Sequence, residues 1–174
     1  MLTDRHDAYA LLARLGATRR LLTHLQLVGE AADELLAAYA SLRAPVDARL
    51  IELGVAVHDA GKITHPSELD GPGSLHEAAG EALMLAHGVL PEVARSCVLH
   101  AAWDAPGLAL ETLSVALADK LWKGLREPAL ELRVIDSVAA CLRVERWDVF
   151  EPLDSAFEQI AAGGDGRLAR SRVD

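Results

Sequence analysis

The helical spacing of its apolar residues constrains this chain most, because that spacing runs through most of the length and at one point ends on a polar pair. From Asp7 to about Arg43 apolar side chains return every three or four positions, at Leu11, Leu12 and Leu15 and again at Leu21, Leu25, Val28 and Leu35. Gly16 is the break between two expected helices, and nothing in this stretch reads as a strand. Pro45 then opens a third segment as a first-turn proline, and Val46, Leu50, Leu53, Gly54 and Val57 form a stripe that runs directly into His58-Asp59. An imidazole beside a carboxylate, at the end of an apolar run and before Gly61, makes a poor core and a good start to a metal site.

Beyond the pair, Gly61, Pro66, Gly71, Pro72 and Gly73 mark residues 61–74 as a loop, which suits the rim of a site. Ser74-Leu75-His76-Glu77 fits a capping box and puts His76 in the first turn of a helix that ends at Gly88. Pro91 starts another helix, in which Ala94, Cys97 and Val98 precede His100, until Pro106-Gly107 breaks it. Leu108 to Gly124 is strongly apolar with Asp119 inside it, and Pro128 to Trp147 reads as one further amphipathic helix. A short helix is expected near Asp154 to Ala162, after Pro152. The glycine-rich, charged residues 163–174 read as a frayed tail. The expectation is an all-α, single-domain helical bundle over residues 1–162.

A chain of 174 residues can bury a substantial core without disulfides or a structural metal, so any metal is expected to serve chemistry. Cys97 and Cys141 lie in apolar helical surroundings with no CxxC pattern and read as reduced core thiols. The N-terminal residues Met1 to Asp7 are polar and acidic, and no run approaches the roughly eighteen apolar residues of a membrane span, so a cytoplasmic protein is expected. A formal net charge of -9 argues against a nucleic-acid polymer or an anionic membrane as partner, since both need clustered Lys and Arg. A small anion held at a metal remains compatible with that charge.

The candidate site residues are the polar ones placed on buried stripes. His24 lies between Leu21 and Val28, Asp119 between Val115 and Trp122, His76 with Gly80 and Leu83, and His100 with Cys97 and Trp103. An ionised Asp in a helix core costs several kcal/mol unless it is paired or metal-bound. Four inward histidines and two inward-capable aspartates on separate helical segments are what a bundle uses to build a metal centre. His6 and His87 read as surface residues.

The ordered set His24, His58-Asp59, His76, His100, Asp119 resembles the HD-domain superfamily of metal-dependent phosphohydrolases, and Ala60-Gly61-Lys62 resembles that family's HD-x-G-K variant. The match spans about Leu21 to Lys123. The resemblance implies that His24, His58, Asp59 and Asp119 bind one divalent metal. His76 and His100 occupy the places of ligands to a second metal, with Asp59 bridging the two ions. A mononuclear site with His76 and His100 behind it stays open. Mixed imidazole and carboxylate ligation fits Mn, Fe, Co, Ni or Zn better than Ca.

The chemistry so implied is hydrolysis of a phosphate ester or anhydride in a small phosphorylated metabolite, a nucleotide first, by water activated on Asp59-bound metal. Lys62 is placed to neutralise a phosphate oxygen, with Arg20 and Lys123 each one helical turn from a ligand. Asp104 or Glu77 is the candidate to orient water or protonate the leaving oxygen, Trp103 to stack on a base, and His65 to reach substrate. Two other readings stand beside hydrolysis: an oxygenase with an iron pair, and a non-catalytic protein that binds metal or nucleotide. Pairing of two copies through Pro128 to Trp147 is a further expectation.

Overall fold

Short polar side chains and glycines set where the helices begin and end in the computed structural model, which describes residues 2–172. α1 (Arg5–Arg14) is capped by the Asp4 carboxylate, which accepts from the Asp7 amide at 3.0 Å. α2 (Arg19–Leu42) is capped by the Thr18 hydroxyl, and its end is marked by Arg43 at a left-handed φ of 57°. α3 (Ala48–Val57) is capped by Asp47, which accepts from Leu50 N at 3.0 Å. Two short 3-10 turns, Ala60–Ile63 and Pro66–Leu69, lead to α4 (Leu75–Ala86). Then follow α5 (Pro91–Ala94), α6 (Ser96–Leu99), α7 (Leu110–Leu121), α8 (Pro128–Leu142), α9 (Arg146–Ala162) and α10 (Gly164–Ser171). No strand occurs among the described residues, so the all-α expectation holds.

Four local expectations are corrected. Pro45 precedes α3 rather than opening it, because Asp47 can accept the first-turn amide bond and proline cannot. The segment from Pro128 to Trp147 is two helices, divided where Arg143 turns left-handed at φ 58°. α9 runs through Pro152, which therefore does not start a new helix. Cys141 is exposed and only Cys97 is a core thiol, its Sγ donating to Val57 O at 3.1 Å. The expected break at Gly16 is present, at φ 94°.

Two apolar clusters meet along α2 and α3, which contribute side chains to both. The larger gathers Val28, Leu35 and Tyr39 of α2, Ile51 and Val55 of α3, and the inner faces of α7, α8 and α9. The smaller gathers Leu21 and Leu25 of α2, Leu53 and Val57 of α3, α1, α5, Met84 and Cys97. His24 lies on α2 between Leu21 of one cluster and Val28 of the other, and His58 ends α3. The polar pair thus falls at the seam of the two cores. No described helix is long and apolar enough to cross a membrane.

The expected tail is in large part a docked helix, α10, while Val173 and Asp174 lie outside the described residues. Arg167 is 3% exposed and donates to Trp122 O at 3.1 Å and Ile160 O at 2.8 Å, the carbonyl ends of α7 and α9, and to Glu34 of α2 at 3.0 Å. Its guanidinium so satisfies Trp122 O, which no backbone amide reaches, and adds to the Gly163 amide on Ile160 O. Gly164 lies against Gly124, where an added Cβ would sit 2.4 Å from the Gly124 nitrogen. The glycines that read as helix breakers in sequence are here the close contact that lets α10 dock. Arg167→Ala should lower stability by about 2–3 kcal/mol, read by urea denaturation, because it removes several charge-assisted bonds and leaves Trp122 O without its donor. An unchanged midpoint would show that α10 docks without this anchor.

Candidate metal centre

Five elements bring six side chains to the seam. His24 comes from α2, His58 and Asp59 from the end of α3, His76 from the first turn of α4, His100 from the end of α6, and Asp119 from the last turn of α7. Asp59 lies at the centre. Its Oδ2 is 3.0 Å from His24 Nε2 and 3.6 Å from His58 Nε2, while its Oδ1 is 3.2 Å from His76 Nε2 and 3.8 Å from His100 Nε2. Asp119 Oδ1 approaches His58 Nε2 from the other side at 3.6 Å. The two carboxylate oxygens of Asp59 therefore face different imidazoles, the disposition a bridging ligand requires.

Gly61 is what allows this convergence. A Cβ there would stand 1.8 Å from the His76 carbonyl oxygen, and one on Gly80 would stand 2.8 Å from Gly61 N. The turn after Asp59 is thus in backbone contact with α4, which fixes His76 relative to Asp59.

The imidazoles are oriented from behind. Nδ1 of His58 lies 2.8 Å from Val55 O and Nδ1 of His100 lies 3.0 Å from Ser96 O. A carbonyl only accepts, so each Nδ1 carries a proton and each Nε2 is the atom left facing the centre. His76 Nδ1 lies 2.6 Å from Glu68 Oε2, with the same consequence. His24 Nε2, His58 Nε2 and Asp59 Oδ1 are buried without a hydrogen-bond partner among the described residues. The 3.0 Å separation of His24 Nε2 from Asp59 is close but not directed as a hydrogen bond, so it leaves that nitrogen unsatisfied. Buried polar atoms without partners are rare in folded proteins. Three in one cluster mark a ligand set that can hold a metal ion, and the donor atoms of His24, His58 and Asp119, and separately of His58, Asp59 and His100, lie within 4.8 Å of one another.

Charge in the cluster follows from burial set against neighbours. Burial holds the His24 imidazole below its ordinary range, and His100 down to about 4. For His58 burial works in the same direction, but the flanking Asp59 and Asp119 carboxylates outweigh it and raise its pKa. The Asp59 carboxylate beside its Nε2 raises that of His76. Both carboxylates are held well below the ordinary range despite their burial, Asp59 chiefly by the His58 charge and Asp119 chiefly by its contact with His58. The aspartates are anionic whenever the protein is folded at neutral pH.

The cluster floors a cleft of about 370 Å³ whose rim carries Arg20, Lys62, Lys120 and Lys123, four cations in a chain of net charge -9. Lys62 Nζ is 2.6 Å from Asp59 Oδ2 and Lys123 Nζ is 3.6 Å from Asp119 Oδ2. Arg20 is paired with Asp70 of the 61–74 loop. Glu77 also lines the cleft, whereas His65, Trp103 and Asp104 do not. Arg133 donates to the carbonyls of Trp103 and Ala105 and holds that loop against α8, so the indole packs on the larger core and Asp104 is exposed. The structure thus places these three residues, expected to contact substrate or to act as the acid, outside the lining of the cleft. Sequence reasoning missed Glu68, Lys120, Trp122 and Ser171. Trp122 lies on the Asp119 stripe and packs edge-on to His24 at 4.8 Å between centroids, which its helical spacing could have revealed.

Comparison with protein-family models, curated proteins and solved structures gives no match for this chain.

Gly61→Ala should destabilise the fold by about 3 kcal/mol or more, because the new methyl meets rigid backbone rather than a yielding side chain. Thermal unfolding reads this, and a loss under 1 kcal/mol (roughly a methyl absorbed by repacking) would mean that the turn and α4 separate readily. In metal-free protein the His100 imidazole should stay neutral down to about pH 4. The unfolded chain then binds the extra proton between about pH 6.5 and 4, so this group withdraws stability as pH falls through that window. A His100 ring resonance that titrates near pH 6.5 would contradict the assignment.

Proposed function

We propose that this chain is a divalent-metal-dependent phosphohydrolase of the HD type, acting on a small phosphorylated metabolite. The observation that carries the reading is the cluster of unpaired His24 Nε2, His58 Nε2 and Asp59 Oδ1, spread over both sides of the Asp59 carboxylate, beneath a cation-rimmed cleft. Imidazole and carboxylate ligands in this number suit Mn, Fe, Co, Ni or Zn. His24, His58, Asp59 and Asp119 would hold one ion, and Asp59, His76 and His100 a second. Bound there, a divalent ion supplies a water whose pKa is lowered toward neutrality and polarises a phosphoryl oxygen.

The chain's own residues do the rest. Lys62, between Asp59 and the cleft, neutralises a phosphoryl oxygen, and Lys120 and Lys123 hold further anionic oxygens of the substrate. Glu77 is the rim carboxyl group in reach of a leaving oxygen. The cations lie in one cleft rather than along a face, which favours a small anion over a nucleic-acid polymer. Nucleotides head the substrate classes to test, and a cytoplasmic setting fits a reduced core thiol.

The test is metal content per chain, with release of phosphate from a panel of nucleotides, sugar phosphates and phosphodiesters, for the native protein and Asp59→Ala. Close to two ions and turnover, both lost in the variant, are expected. About one ion would confine the site to His24, His58, Asp59 and Asp119. No ion after incubation with Mn or Fe, and no turnover, would remove the reading. A second reading, oxygen activation at an iron pair, rests on the same two-sided disposition of Asp59. Uptake of dioxygen by the iron-loaded protein separates it from hydrolysis.

A further inference from the structure

We infer that Glu68 is a positioning residue that sets metal affinity on the Oδ1 side of Asp59, making the two metal positions unequal. The inference rests on the two-ion form of the reading above. Glu68 sits in the 3-10 turn Pro66–Leu69, outside the sequence pattern that defines the ligands. Its Oε2 accepts from His76 Nδ1 at 2.6 Å and from the His76 amide at 3.0 Å, and its Oε1 accepts from the Leu75 amide at 3.2 Å. One carboxylate therefore caps α4 and orients the ligand in the first turn of that helix. Ser74, which the sequence pattern makes the cap, forms no side-chain cap bond: Glu68 takes the Leu75 and His76 amides, and the Glu77 amide turns to the Ser74 carbonyl.

The position is closely built. The Glu68 side chain is 8% exposed, and Gly73 folds so tightly over it that an added Cβ would stand 2.3 Å from Oε1. Glu68 also differs in kind from the groups behind the other ligands. Val55 O and Ser96 O, behind His58 and His100, are neutral backbone carbonyls, whereas His76 alone of the three leans on an anion. An anionic acceptor on Nδ1 strengthens the Nε2 lone pair as a donor to metal and fixes the ring more firmly. His76 Nε2 faces only Asp59 Oδ1, so the effect is confined to one side of the cluster. The ion on that side gains its affinity from a loop residue, and the ion near His24 does not.

The experiment is a calorimetric titration of the metal-free full chain with Mn(II), alongside thermal unfolding of the same metal-free samples. The native protein should show two classes of site. Glu68→Gln, which keeps the shape and one accepting oxygen, should weaken one class 10–100-fold and leave the other unchanged. His76→Ala should abolish that same class, and the double variant should add nothing further. A cap acting only on structure would instead lower the unfolding midpoint and weaken both classes alike, which would overturn the inference. So would a native titration profile retained in Glu68→Gln. Two native classes with no effect of Glu68→Gln sink this inference alone, whereas a native protein without two classes sinks the two-ion reading with it. Independently of any variant, the His76 Nδ1 proton of the native protein should resonate far downfield, as a short bond to a carboxylate demands. Its absence there would also overturn the assignment.

Discussion

A single buried carboxylate organises this protein. Asp59 is 2% exposed and stands among His24, His58, His76 and His100, with Lys62 closing the remaining side. An anion removed from water to this degree needs several favourable partners to remain charged. The fold supplies them from separate helices, so each helix must hold its station for the carboxylate to be tolerated. His58, His100 and His76 stand in turn with their Nε2 atoms toward it because Val55 O, Ser96 O and Glu68 take the opposite nitrogen. Ligand direction is thus fixed from the backbone outward, and the centre inherits the rigidity of the helices.

The scaffold reaches this arrangement through close backbone contact rather than through large side chains. Gly61 against the His76 carbonyl brings the turn after Asp59 onto α4, and Gly54 lets α3 approach Val115 and Ser96. α2 and α3 each serve both apolar clusters, which makes the seam between the clusters the most constrained place in the molecule. The same logic extends to the end of the chain, where Arg167 ties α10 to the ends of α7 and α9 and brings Ser171 to the cleft wall. Asp119, Lys120 and Lys123 lie on the α7 end that this arginine secures.

Charge is distributed with comparable economy. The chain carries an excess of carboxylates, yet four cations border the cleft. With a cation held by the buried aspartates, such a rim would attract a small anion without making the whole surface attractive to polyanions. The contrast between the surface and the cleft supports the phosphoryl-group reading more directly than any single lysine does.

The sequence by itself determined the all-helical class, most of the helices and the six candidate ligands, because period and ligand chemistry are local properties that survive without coordinates. His24, His58, Asp59, His76, His100 and Asp119 could all be singled out from stripe position and residue type, and all six meet in space. It did not determine what surrounds them. Glu68 was unreadable because its partner lies eight residues away across a loop, and Ser74 offered the more familiar capping pattern. Trp103 and Asp104 followed His100 in sequence but turn away, since Arg133 from α8 holds their loop on the opposite side. The glycine-rich stretch at residues 163–166 read as a frayed end, although it is a packing contact once Gly124 is brought against it. Local pattern sets which way a side chain points along its own element. Only the packing of distant elements decides which carboxylate, carbonyl or glycine it finds there, and those encounters turn six residues into a site.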